Sequence, residues 1–209
     1  PASAITGQWQ CVDDIRQHML YFLENHDEQR IASRWFAGRA DHFASLGVSL
    51  FLNTAPFMLY FGQEIGLDAS EGHEGRTSIF NWSRPEGLQR LYAYIHGDGD
   101  LTGEESAVLD RYMYFLGIAG DESVTSGMTY DLCYCQDSSQ GFNPDKHFIF
   151  LRHSRNKTIL FCCNFSDSRA EMSVRIPQHA IHFLGLDPAK TGNEINISVP
   201  AFGLITVTL

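Results

Sequence analysis

Positive charge is scarce in this sequence. Fifteen Lys and Arg stand against 25 Asp and Glu, a formal net charge of −10 at pH 7. A phosphate backbone needs clustered cations, so no nucleic-acid partner is expected. No apolar run is long enough to cross a bilayer, so no membrane partner is expected either. Low-complexity tracts and internal repeats are missing too. There is no initiator Met and no signal pattern: the chain opens Pro1-Ala2-Ser3-Ala4. The expectation is a piece cut from a longer protein, whose targeting cannot be read from what remains.

Cysteine is sparse and odd in number: Cys11, Cys133, Cys135, Cys162 and Cys163. Adjacent and alternate cysteines in strand-like runs suit buried thiols better than a disulfide framework or a zinc site. That leans towards a reducing compartment such as the cytoplasm. Sequons at Asn81, Asn156, Asn164 and Asn196 point the other way, but such tripeptides arise often by chance. With 44% hydrophobic and 12% aromatic residues over 209 positions, the chain is of the globular class and can bury a sizeable core.

Hydrophobic spacing divides the chain in two. Ile5, Trp9, Val12, Ile15 and Met19 recur at near-helical intervals and predict an amphipathic helix. Residues 20–23 form a short apolar strand that breaks at once into polar residues. A mostly buried helix is predicted over about 40–53, and a second apolar strand over 57–61. Helix, strand, helix, strand, with each strand apolar on both faces, is an α/β pattern with parallel strands. Residues 66–87, with the aromatic cluster Phe80-Asn81-Trp82, read as a long loop of the kind that builds a site. Helices follow over about 86–95 and from Thr102, which with Glu105 forms a capping box. Beyond Gly120 the period changes to that of strands, at 130–136, 147–153, 158–165, 171–176, 195–199 and 204–209. These predict an antiparallel β-sandwich. Two domains are expected, 1–120 and 121–209.

The first strand and its loop, Phe22-Leu23-Glu24-Asn25-His26-Asp27, resemble the F-V-x-N-H-D signature of the α-amylase family, glycoside hydrolase family thirteen, with Leu23 for the usual valine. At the expected distance, Pro56-Phe57-Met58-Leu59-Tyr60-Phe61-Gly62-Gln63-Glu64-Ile65-Gly66 resembles that family's eighth barrel strand and the turn after it. The resemblance implies strands seven and eight, with flanking helices, of a partial (β/α)8 (TIM) barrel. The β-sandwich would be the family's carboxyl-terminal domain. A complete barrel has eight strand–helix units in roughly 250 residues, so the sequence covers only part of one.

What the resemblance implies for chemistry is cleavage or transfer of α-glucosidic bonds with retention. Asp27 matches the family's transition-state-stabilising carboxylate, His26 its substrate-binding imidazole, and Asn25 a loop support. Arg30 suits a structural ion pair as well as a catalytic role. The tempting second carboxylate, Glu64, matches a family position that is structural. The nucleophile belongs in an upstream G-x-R-x-D motif. Arg39-Ala40-Asp41 lies downstream instead, at a helix start, and is a decoy. The acid/base Glu motif and the family's first conserved motif are absent, so the fragment is expected to be inactive alone. No cofactor and no metal ligands are implied for this sequence; the resemblance leaves calcium possible in the longer protein, since the family's calcium sites draw mostly on barrel segments missing here. An α-glucan or maltooligosaccharide is the expected substrate. Self-association through residues 1–65 is expected from the unfinished sheet.

Other readings compete. A His-Asp pair is also a metal-ligand doublet in all-helical phosphohydrolases, and a plain structural pair could cap the next helix. The alternative to the glycosidase reading is a non-catalytic carbohydrate-binding module or a scaffold, and the intact Asn25-His26-Asp27 argues against the scaffold. An exposed aromatic pair on the sandwich, able to stack on sugar rings, would favour the binding module. The aromatics of 130–134 and 148–150 alternate as core residues would.

Overall fold

The computed structural model describes residues 1–78, 84–191 and 194–209. The cluster Phe80-Asn81-Trp82, with its sequon, lies outside the described residues. In chain order the elements are α1 (Ala4–Cys11), β1 (Tyr21–Phe22), α2 (Phe43–Phe51), β2 (Phe57–Met58), α3 (Glu86–His96), α4 (Gly103–Ala119), α5 (Glu122–Thr125), β3 (Met128–Asp131) and β4 (His147–His153). Then come β5 (Thr158–Asn164), β6 (Ala170–Arg175), α6 (Gln178–Leu184), α7 (Pro188–Thr191), β7 (Glu194–Val199) and β8 (Leu204–Thr208). The chain is a mixed helix-and-sheet protein whose larger sheet is antiparallel.

These elements form two compact units. The first comprises Pro1–Met19, Phe43–Pro56 and Gly120–Leu209; the second, Leu20–His42 and Phe57–Ala119. Residues 1–19 and 43–56, grouped by sequence with the first 120 residues, therefore cluster with the carboxyl-terminal part.

In the first unit, β3, β4, β5 and β8 form a four-stranded antiparallel sheet in that order, and β6 pairs antiparallel with β7. One core joins them: Ile149, Leu151, Leu160 and Cys162 from the larger sheet meet Met172, Val174, Ile197 and Val199 from the smaller. The runs around β4 and β5 are buried along nearly their whole length, which is why they read as continuous apolar sequence. Helix α2 packs on β5 and β8. Arg152 on β4 is almost wholly buried, with no carboxylate partner among the described residues. Its guanidinium donates to the carbonyls of Ser123, Val124 and Gly127 instead, and burial pushes its pKa down to about 10.

Three expectations give way here. The helix predicted over 5–19 is α1 followed by a separate 3-10 turn, Asp13–His18, and neither has a buried residue. The strand predicted over 130–136 stops at Asp131, whose carboxylate accepts the Cys133 N–H at 2.7 Å. The chain then turns into a 3-10 turn, Cys133–Cys135. Between β6 and β7, where no helix was predicted, α6 buries Ala180, Ile181 and Leu184.

In the second unit β1 and β2 pair parallel, with Tyr21 opposite Phe57 and Phe22 opposite Met58. The capping box forms as expected: Glu105 N–H donates to Thr102 Oγ1 at 3.2 Å and Thr102 N–H to Glu105 Oε2 at 2.9 Å. Arg90 then ties α3 to α4 through the same Glu105.

Candidate functional site

The parallel register sets the carboxyl ends of β1 and β2 side by side, so the loops leaving them are neighbours. Directly after β1, Glu24 turns inward and Arg30 comes back to meet it. Arg30 Nη1 donates to Glu24 Oε2 at 2.8 Å, with side chains 0% and 3% exposed. The other guanidinium nitrogens reach Thr77 Oγ1 at 2.8 Å and the Phe61 carbonyl at 2.9 Å. The cation also lies 4.3 Å above the Tyr60 ring. Burial, the strongest influence, raises the Glu24 pKa, while Arg30 and the Ile31 N–H pull it back.

This pair closes the base of a small loop. At the tip, Asn25 Oδ1 accepts the N–H groups of Asp27 at 2.8 Å and Glu28 at 2.9 Å. An Asx turn of this kind fixes the backbone without help from the neighbouring side chains. His26 and Asp27 are thereby left pointing outward. Their side chains are 55% and 78% exposed, with His26 Nε2 3.4 Å from Asp27 Oδ2. Arg76, from the loop after β2, donates to the Asp27 carbonyl at 2.8 Å and so holds the backbone rather than the carboxylate. The three residues singled out by sequence are therefore together: one shapes the loop and two are presented.

The second motif builds a tight turn. Gly62 and Gly66 have left-handed φ of 86° and 66°, and a Cβ on Gly66 would sit 2.3 Å from the Ala40 Cβ. Only glycine serves there. Within the turn, Gln63 Nε2 donates to Tyr112 OH at 3.0 Å. Glu64 Oε2, Gln63 Oε1 and Tyr60 OH are shielded and have no hydrogen-bond partner among the described residues.

Asp41 is occupied elsewhere. Arg39 binds it with two bonds of 2.6 and 2.7 Å, and this guanidinium holds its carboxyl below the usual range. The pair precedes α2 and has no part in the His26–Asp27 loop. A concavity of about 780 Å³ lined by Leu67, Asp68, Thr77, Arg90 and Glu105 does not include His26 or Asp27. Among the described residues no group of three His, Cys, Asp or Glu could hold a metal ion. Glu24 was missed by sequence reading; a lone Glu six residues before an Arg carries no signal of a buried pair.

No family sequence profile and no curated protein sequence matches the chain. Solved structures do. AmyP in complex with maltose matches with a TM-score of 0.60 at 16% identity, over 90% of this chain and 40% of that one. The α-amylase from H. orenii matches at 0.57 and 16% identity, over 99% and 46%. A debranching enzyme from Nostoc punctiforme, soaked with acarbose, matches at 0.54 and 19%, over 100% and 37%. The chain has the fold of the carboxyl-terminal part of α-amylase-family enzymes. It spans less than half the length of each of these α-amylase-family structures.

Proposed function

We propose that this chain is the carboxyl-terminal part of an α-glucan-active retaining glycosidase, a hydrolase or transglycosidase acting on starch-like chains or maltooligosaccharides. The observation that carries the reading is the exposed His26–Asp27 pair at the carboxyl end of a parallel strand. That end is where barrel enzymes keep their chemistry. In this reading β1 and β2 are the seventh and eighth strands of a (β/α)8 barrel. Residues 1–120 belong to that barrel region and residues 121–209 carry the sheet domain, with which Pro1–Met19 and Phe43–Pro56 also cluster. The barrel part lends α2 to β5 and β8 of the sheet domain.

Asp27 acts as the transition-state stabiliser. Its carboxylate accepts hydroxyl hydrogens of the distorted sugar, and these bonds strengthen as positive charge develops on the ring. His26 binds the same sugar through a ring N–H. Asn25 supports the loop. Retention requires a nucleophile and an acid/base about 5–5.5 Å apart, and neither is assigned to this sequence. Glu64, which matches a family position that is structural, is assigned neither role. The chain alone is therefore inactive. Tyr60 OH, Gln63 Oε1 and Glu64 Oε2, which have no hydrogen-bond partner among the described residues, support an unfinished barrel, since each such group costs about 1–3 kcal/mol unless satisfied. The same incompleteness drives self-association of the chain through residues 1–65.

The reading frame upstream of Pro1 tests this reading. It should encode a G-x-R-x-D motif and a strand-end Glu, and the longer protein should release α-anomeric products from maltoheptaose, followed by proton NMR. A frame without those motifs, or a product of inverted configuration, would overturn the assignment.

A further inference from the structure

The first unit carries a second cluster suited to sugar, far from any role in the proposed reaction. Tyr130 is the penultimate residue of β3, Tyr134 stands on the 3-10 turn Cys133–Cys135, and His179 and Phe183 are one helical turn apart on α6. Their rings adjoin. Tyr130 lies 6.4 Å from Tyr134 and 5.9 Å from Phe183 between centroids, and Tyr134 lies 6.0 Å from His179. The polar edges are linked as well. The Tyr130 and Tyr134 hydroxyls are 3.0 Å apart, and the Tyr134 hydroxyl is 2.6 Å from His179 Nε2.

Folding alone does not explain this surface. Helix α6 is already anchored by Ala180, Ile181 and Leu184 on its buried face, yet Phe183 is 64% exposed and Tyr134 60%. Adjacent large aromatics left in water are a mark of a binding surface. The hydrogen bonds fix the two tyrosines and the imidazole before any ligand arrives, which lowers the ordering cost of binding. The group holds apolar ring faces beside hydroxyl and imidazole groups, with no Lys, Arg, Asp or Glu among the four residues. Asp131, next in sequence, is engaged by Thr6 Oγ1 and the Cys133 N–H. Such a surface matches a ligand that is neutral, with an apolar C–H face and a rim of hydroxyls. A pyranose ring is built that way. A chain of net charge −10 also disfavours an anionic ligand.

We infer that Tyr130, Tyr134, His179 and Phe183 form a glucan-binding platform on the sheet-bearing unit, separate from the His26–Asp27 loop. Tyr134 and Phe183 stack on sugar rings, Tyr130 supports both, and His179 and the Tyr hydroxyls bond the sugar hydroxyls. That the sugar is a glucan rests on the function proposed above; that a neutral saccharide binds rests on the cluster itself.

The test is calorimetric titration of the chain with maltoheptaose, and with cellohexaose as the β-linked comparison. Maltoheptaose should bind. Tyr134→Ala and Phe183→Ser should each weaken it by about tenfold. Phe183→Ser alters an exposed helix position, so an unchanged melting temperature keeps that arm readable should Tyr134→Ala misfold. Binding lost with Asp27→Asn but kept in both platform variants would overturn the platform and leave the proposed function standing. Binding of cellohexaose alone, lost in the platform variants, would keep a saccharide site and sink the α-glucan reading. Binding of neither sugar would overturn the inference. So would a concentration-dependent dimer, seen by sedimentation, that disappears in Phe183→Ser, since it would give this face to a second copy.

Discussion

Glu24 and Arg30 meet beneath the loop whose tip carries His26 and Asp27, at 2.8 Å and almost out of reach of water. Arg30 is bound at every nitrogen group: the Glu24 carboxylate, the Thr77 hydroxyl and the Phe61 carbonyl. Lysine has one compact ammonium and cannot reproduce that fork. Arg30→Met should cost about 3–5 kcal/mol, the usual loss when one partner of a buried pair is removed, and Arg30→Lys, which keeps the charge but not the fork, a smaller part of it. Urea denaturation followed by circular dichroism measures it. A loss below about 1 kcal/mol in Arg30→Met, typical of surface pairs, would mean that the pair is not shielded.

Asp27 presents the opposite case. Its carboxylate is mostly exposed, with His26 Nε2 3.4 Å from its Oδ2. In the longer protein, Asp27→Asn should lower kcat/KM by orders of magnitude, as expected when an interaction made in the transition state is lost. The melting temperature should hardly move, because Asn25 and Arg76 hold this loop through its backbone. Near-normal turnover would remove Asp27 from the chemistry.

Asp121 gives a pH signature. The Lys157 ammonium at 2.6 Å, with Ser123 in support, holds its carboxyl down to about 2 against an ordinary 3.8. A depressed acid stabilises the fold above its ordinary value and loses that contribution as pH falls through its folded one. The stability gap between the wild type and Asp121→Asn should therefore be constant above about pH 5 and close between about pH 4 and pH 2. Urea midpoints across that range decide it; a gap independent of pH would show that the pair contributes nothing.

Two glycines should respond with opposite signs. A Cβ on Gly47 of α2 would come within 2.9 Å of Cys163 Sγ and 3.0 Å of Leu204 Cδ1, so Gly47→Leu should lose about 1–3 kcal/mol to overpacking. Gly117 of α4 faces open space, and Gly117→Ala should gain up to about 1 kcal/mol from helix propensity. Thermal melts of both variants suffice. Equal effects would mean that α2 does not seat closely on β5 and β8.

The legible parts of the sequence were those where one local rule acts alone. Thr102 and Glu105 satisfy each other within one helical turn, and β4 is buried along nearly its whole length, so each reads correctly from its own residues. Tyr134 failed for the converse reason. Its alternation with Tyr130 gave a strand of core aromatics, but Asp131 captures the Cys133 N–H and turns the ring out to solvent. The polar Asp that redirects the chain weighs little in a hydrophobic pattern. The candidate loop was legible through Asn25, His26 and Asp27. The Glu24–Arg30 pair beneath it was not, because a buried ion pair has no periodicity.

Helix α2 lies between β1 and β2 in sequence but in the first unit in space, and the same unit also claims the first nineteen residues. The chain therefore passes between the two units four times. No single cut separates them, and no contiguous stretch of coding sequence specifies either one. Exchange of the sheet domain among related genes at the sequence boundary near 120 would strip it of the helix that covers β5 and β8. The two halves are thus bound to be inherited together, and a change on the underside of the sheet is answerable to a helix encoded more than one hundred residues earlier.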